Sequence, residues 1–144
     1  MIILEGTDAV GKTSVINNLK EYDIKDRDKN ICSLIDFNIS LIDRAKRLKE
    51  YLDIINDIVI FLINNDKSEL ERRISLRDVI DEYDRYTYLY NILYLETYIY
   101  MEQNNLLNNK LYMVDCTGLN VEEETQAVKK MIDYAKYNST HGNS

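Results

Sequence analysis

Gly6-Thr7-Asp8-Ala9-Val10-Gly11-Lys12-Thr13 fits the spacing GxxxxGK[ST] without a mismatch. Those residue types at that spacing suit one chemistry, the holding of a phosphate chain. Gly6 and Gly11 permit backbone that a Cβ forbids, so N–H groups along Gly6, Thr7, Asp8, Ala9, Val10, Gly11, Lys12, Thr13 and Ser14 can turn toward phosphate oxygens. A helix opening at Lys12 would add its dipole. The Lys12 ammonium would reach the β and γ phosphates of a triphosphate, and the Thr13 hydroxyl would hold Mg²⁺. The competing structural reading is a tight turn with a surface lysine.

The elements around the loop must hold it in place. "MIILE" is a short apolar run that reads as a buried strand ending at Gly6, and Val15, Ile16 and Leu19 share one face of a short helix after it. A weaker strand is expected at Tyr22 to Lys25. Leu41, Ala45, Leu48 and Leu52 have helical spacing behind a Ser40/Asp43 start signal. Residues 57 to 63, "DIVIFLI", are the clearest strand. Asp66 with Glu69 opens a helix to about Leu76, a long helix spans about 84–104, "KLYMV" is a last strand, and Asn120 with Glu123 opens the last helix. That helix carries Thr125, Val128, Met131, Ile132 and Ala135 on one face. Residues 77–85 are charged and read as a mobile segment or a helical turn. Strands alternating with helices imply an α/β fold with a mainly parallel sheet of four to five strands flanked by helices. In such sheets ligands bind at the carboxyl ends of strands, where Gly6 to Thr13, Asp26 with Arg27, and Asp115 to Gly118 all fall.

Composition narrows the field. At 144 residues and 45% hydrophobic content, one core is expected: a single domain over 1–137, with 138–144 a polar, disordered tail. A net charge of −7 argues against long nucleic acids as partners. Cys32 and Cys116 lie far apart and form no CxxC pair, which suits two free thiols in a reducing compartment. No leader-like start and no span of about 20 apolar residues appear, so a cytoplasmic protein that does not enter the membrane is expected.

"LEGTDAVGKTS" resembles the phosphate loop of the thymidylate kinase family within the nucleoside monophosphate kinases. "KDRD" at 25–28 resembles that family's Asp-Arg pair after a strand. "IVIFLINNDKSELERRISLRDVIDEYDR" resembles its strand, helix and arginine-bearing lid, and "YMVDCTGLNVEE" its last strand and adenine-side loop. The resemblance implies a three-layer P-loop NTPase fold, with ATP as donor, Mg²⁺ as cofactor and a small nucleotide-like acceptor, as in the conversion of dTMP to dTDP. It implies that Asp8 meets the acceptor sugar, where the residues alone also allow a solvated turn. Asp26 would stand near the metal with Thr13. Arg27 would bind the acceptor phosphate or the transferring group, and "DRDK" read alone is equally a solvated charge run. Lys12, Asp8, Arg27, Arg73 and Arg77 would form the catalytic set, although Glu69, Glu71 or Asp81 could instead pair the last two as surface ion pairs. Asp115, Cys116 and Thr117 would pack beside adenine, a simple turn before the last helix being the alternative. Glu82 stands where relatives often have a further lid arginine, with Arg85 a substitute. Between the first helix and "KDRD" relatives carry another strand, helices and an Arg-Glu-Pro-Gly segment; here only "KEYDI" fills the gap, so the shortening falls on acceptor-binding parts.

"YDRYTYLYNILYLETYIY" concentrates many of the 12 tyrosines in one helix that is apolar nearly all round. Such a helix is core or a homodimer seam, and a base-stacking platform is the weaker reading. His141 lies in the polar tail and is no candidate base. Two functions remain open: a small Mg-ATP-dependent kinase, in which positioning and charge do most of the work, and a nucleotide-binding switch without a complete acceptor site.

Overall fold

The computed structural model describes residues 1–77, 80, 81 and 84–141, without the side chains of Asp8 and His141. The roles expected of the Asp8 side chain, of Glu82, of His141 and of residues 142–144 therefore lie outside the described residues.

Strands β1 (Ile2–Glu5), β2 (Ile24–Asp26), β3 (Ile58–Ile63) and β4 (Leu111–Asp115) form one sheet in the order β2-β1-β3-β4. Every pairing is parallel, with Leu4 beside Asp26 on one side and Ile60 on the other, and Phe61 beside Met113. The carboxyl ends of all four strands thus face one edge. The chain leaves β1 toward β2 in one direction and reaches β3 and β4 in the other, so the loop after β1 opens at the point where strand order reverses.

Alternation along the strands builds two cores. Ile2, Leu4, Ile60 and Leu62 point to the face covered by α1 (Lys12–Asn18) and α6 (Val121–His141). Ile3, Val59, Phe61 and Ile63 point to the face covered by α3 (Leu41–Ile54) and α5 (Thr87–Gln103). Both faces are covered, as a parallel sheet requires, giving an α/β architecture of helix, sheet and helix layers. Between these lie α2 (Lys29–Cys32) and α4 (Lys67–Ser75), with single 3-10 turns at Asp8–Val10 and Asp84–Tyr86.

The expected start signals are formed. Ser40 Oγ accepts the Asp43 N–H at 3.2 Å, and Asp66 Oδ1 accepts the Glu69 N–H at 3.0 Å. Asn120 Oδ1 accepts the Glu123 N–H at 2.8 Å while Glu123 Oε1 takes the Asn120 N–H at 3.1 Å, a reciprocal box. Three details differ. β2 begins at Ile24, beyond the expected Tyr22, because its register against Ile2 starts there. Helix α2 was not expected from the sequence. Helix α6 runs through His141, into the segment expected to be a disordered tail, and Asn138 Nδ2 donates to the Tyr112 hydroxyl at 3.2 Å.

The tyrosine-rich helix is core on one face: Leu93, Tyr94, Thr97 and Met101 are buried, while Tyr86, Leu89 and Ile99 are exposed. A buried arginine on α3 fixes its rotation. Arg44, 4% exposed, donates to Leu93 O (3.3 Å), Thr97 Oγ1 (2.8 Å) and Glu96 Oε1 (2.6 Å). Among the described residues no helix is long and apolar enough to cross a membrane.

Candidate functional site

The loop between β1 and α1 is set by its two glycines. Gly6 has φ +149°, and a Cβ there would lie 2.6 Å from Leu62 O. Gly11 has φ +102°, and a Cβ there would lie 2.5 Å from Glu124 Oε2. Neither position accepts a side chain without displacing its neighbour. Ala9 and Val10 are buried, so they offer a ligand only their backbone. Lys12 is 5% exposed and folds back over the loop, its Nζ donating to Gly6 O at 2.7 Å and Thr7 O at 2.9 Å. Thr13 and Ser14, at the start of α1, are exposed.

Five residues expected in the site are brought together. Lys12, Thr13, Asp26, Arg27 and Arg77 line one open pocket of about 330 Å³. Arg27 comes from the turn after β2, where its own N–H donates to Leu4 O at 2.9 Å and its φ is +67°, a left-handed conformation uncommon for a residue with a Cβ. Arg77 arrives from beyond α4, and its Nη1 donates to Asp84 Oδ1 at 2.7 Å.

Arg27 also lines a second, larger cavity of about 490 Å³, walled by Gly6 and Thr7, by Lys29, Cys32 and Asp36 from the α2 side, and by Thr87, Tyr90 and Tyr94 from α5. The short segment after β2 and α5 therefore supply a pocket where the sequence, shortened before Asp26, led us to expect little. The hydroxyls of the wall residues Thr7 and Thr87 are buried with no hydrogen-bond partner among the described residues. Orphaned buried hydroxyls on a cavity wall are what a polar ligand would satisfy.

A carboxylate lies close to Lys12, Arg27 and Tyr94, which line these pockets. Glu5, the last residue of β1, is fully buried. Its Oε1 accepts the Tyr94 hydroxyl proton at 2.9 Å, and its Oε2 accepts the Asp28 N–H. Burial pushes its pKa up to about 7 against the pull of those two donors and of Lys12 and Arg27.

Other expected residues lie elsewhere. Arg73 does not line either pocket. Its Nε donates to Glu69 Oε1 at 3.0 Å and its Nη1 to Ala9 O at 2.9 Å, while Nη2 stands 3.6 Å from Glu124 Oε1, a charge contact too long for a hydrogen bond. Arg73 thus braces the back of the loop. Asp115 and Thr117 are exposed and bonded to each other at 2.6 Å, with Thr117 Oγ1 also accepting the Asn65 N–H at 2.8 Å. Cys116 points inward, fully buried, its thiol donating to Val114 O, and burial pushes its pKa up to about 12. Only its backbone can border a ligand.

Two residues escaped the sequence reading. Tyr94 looked like one more apolar position of α5, and nothing local marks its bond to a residue 89 positions away. Glu124, which the sequence did not single out, stands in the first turn of α6, yet it is 1% exposed, with neither carboxylate oxygen hydrogen-bonded among the described residues. Its spacing to Val128 and Ile132 on the buried face was the available signal.

Triphosphate and Mg²⁺ fit the residues present. The glycine cradle would be filled by any Cβ, Lys12 lies over it, and Thr13 with Asp26 present hard oxygen donors in the same pocket. Among the described residues no group of three or more His, Cys, Asp or Glu could hold a metal alone, so phosphate oxygens would complete its shell. No protein-family model matches the chain, and no curated protein matches it.

Proposed function

We propose that this protein is a small phosphotransferase that binds Mg-ATP at the Gly6–Thr13 loop and passes its γ-phosphoryl group to a nucleotide-like acceptor in the adjoining cavity. The observation that carries this reading is the junction at Arg27, where a pocket holding Lys12, Thr13, Asp26 and Arg77 meets a cavity of about 490 Å³. A nucleotide-binding switch needs only the first pocket. Resemblance to the thymidylate kinase family gives the same direction.

In this reading the loop amides take the phosphate oxygens, and Lys12 exchanges Gly6 O and Thr7 O for the β and γ phosphates. Mg²⁺, when bound, neutralises charge on those phosphates, with Thr13 and Asp26 the residues that would hold it. Arg27 touches both pockets, so it can steady an acceptor oxygen and the γ-phosphoryl group together. An acceptor oxygen forms the new bond to the γ phosphorus as the bond to the β–γ bridging oxygen breaks, and ADP leaves. Arg77 adds a second guanidinium, steered by Asp84.

The test is ADP release from Mg-ATP with a panel of nucleosides and nucleoside monophosphates. At least one acceptor should raise turnover well above background, and Lys12→Ala should lower it by roughly 100-fold or more. Tight ATP binding with no acceptor-dependent turnover would leave the switch as the surviving reading. Unchanged ATP affinity and turnover in Lys12→Ala would remove the loop from both.

A further inference from the structure

We propose that the acceptor held in the larger cavity is an uncharged nucleoside, phosphorylated on a sugar hydroxyl, and not a nucleoside monophosphate. The inference rests on the phosphotransferase reading and narrows its acceptor by the charge and chemistry of the walls.

The two pockets differ in what they suit. Among the described residues, Lys12, Arg27 and Arg77 line the phosphate pocket with the single carboxylate of Asp26, an excess of positive charge that fits a polyanion. The larger cavity has no such excess. Arg27 and Lys29 stand on its wall with Asp36, Asp81 and Asp84, three acids to two bases. Adding Arg77, which donates to Asp84 Oδ1 at 2.7 Å, brings that wall only to balance. Formal charge does not depend on what else Arg27 and Arg77 touch. A phosphate monoester carries about −1.5 to −2 charges at pH 7, and leaving water costs it free energy unless cations or N–H donors replace its hydration. On this wall it would meet carboxylates as often as cations.

A nucleoside asks for different partners. Its hydroxyls and base edges need neutral donors and acceptors, and Thr7 and Thr87, 6% and 4% exposed on the cavity wall, have hydroxyls with no hydrogen-bond partner among the described residues. Tyr90 of the same wall packs on Phe37 with ring centroids 4.7 Å apart, an aromatic edge suited to a flat base.

A sugar hydroxyl also carries a proton that must leave during transfer, whereas an ionised monophosphate oxygen has none to lose. Asp84 is placed to receive it. It lines the cavity, yet its Oδ1 accepts from Arg77, which lines the phosphate pocket, and its Oδ2 accepts the Asp81 N–H at 3.0 Å. Each oxygen keeps a second lone pair. As the hydroxyl oxygen bonds to the γ phosphorus, the bond to the β–γ bridging oxygen breaks and its electron pair leaves on ADP. The hydroxyl proton passes to the Asp84 carboxylate and then to water.

The experiment sets each nucleoside of the panel beside its own 5′-monophosphate, with turnover measured on Mg-ATP and binding by calorimetry with and without Mg-ADP. The best nucleoside should exceed its monophosphate about 100-fold in kcat/KM and bind about tenfold tighter. Asp36→Asn removes one wall charge while keeping the oxygen that accepts the Asn38 N–H, and it should narrow the kcat/KM ratio about fivefold. Asp84→Asn should lower kcat about 100-fold with the nucleoside KM and the Mg-ADP affinity each within about threefold. A monophosphate that binds or turns over better than its nucleoside would overturn the proposal and leave the phosphotransferase reading standing. A ratio unmoved in Asp36→Asn would show that wall charge does not choose the acceptor, and an unchanged kcat in Asp84→Asn would take that carboxylate out of the proton's path. If no acceptor turns over, the phosphotransferase reading fails; tighter binding of the nucleoside than of its monophosphate then still supports the preference of the cavity, and binding of neither overturns that too.

Discussion

Two buried glutamates stand at the two ends of the Gly6–Thr13 loop, and they are solved differently. Glu5 precedes Gly6, and each of its oxygens has a donor. Glu124 sits against Gly11 with no hydrogen bond to either oxygen among the described residues and one guanidinium at 3.6 Å. Burial pushes both to a pKa of about 7. The same shift thus has opposite structural meanings. Glu5 is a joint whose removal strands its partners; Glu124 fills space behind a glycine and steadies Arg73.

The sharpest way to break this contrast is to replace each by leucine. Glu5→Leu leaves the Tyr94 O–H and the Asp28 N–H buried without acceptors, so denaturant unfolding should show a loss of about 3 kcal/mol. Glu124→Leu should be neutral or stabilising by about 1 kcal/mol, since a carboxylate without donors gives way to an apolar group on an apolar face. A larger loss for Glu124 than for Glu5 would reverse the comparison.

A smaller effect tests what Glu124 does at the loop. Gly11→Ala should cost about 2 kcal/mol and, on the proposed function, abolish nucleotide binding, because the new Cβ meets Glu124 Oε2 and the residue is held at φ +102°. In a Glu124→Ala background the collision is relieved and only the backbone strain, about 1 kcal/mol, should remain. Full additivity of the two changes would show that the carboxylate does not touch the loop.

The most gradual effect is in pH. A carboxyl whose folded pKa is raised, from 4.5 to about 7, binds its proton more tightly in the folded chain, so its contribution is complete below 4.5 and is lost as pH rises through 7. Melting measured against pH should therefore show less decline from about 4.5 to 7 in Glu124→Gln than in the wild type, by at most about 1.4 kcal/mol per pH unit. Identical slopes would mean that Glu124 is ionised throughout.

Much of this was readable in advance because the signals are local. The loop spacing, the apolar runs of β1 and β3, and the paired start signals Ser40/Asp43, Asp66/Glu69 and Asn120/Glu123 each lie within a few residues and appear where expected. Arg27 and Arg77 were also expected in the site, and they meet in one pocket across 50 positions of sequence. What was hidden depends on distant partners or on elements too short for a period. Four-residue α2 gives no repeat, so Asp28 read as part of a solvated charge run when it is a cap. Arg73 showed the right residue type in the lid-like helix, but only the fold reveals that Glu69, Ala9 and Glu124 claim it from behind the loop. The cavity beside Arg27 was invisible because its walls come from 27–36 and α5, and neither wall announces a pocket alone.

The position of β2 carries one more consequence. It is an edge strand of three residues, paired on one side only, with Ile24 half-buried and Lys25 and Asp26 exposed. A charged rim of that kind discourages a strand from another chain from adding there. β2 is also the shortest strand of the sheet, so its ladder to β1 holds it by the fewest residues while β1, β3 and β4 pair along longer runs. A local fraying of one short strand would then shift Asp26 and Arg27 together against Lys12, Thr13 and Arg77 across the pocket they line, before the domain melts.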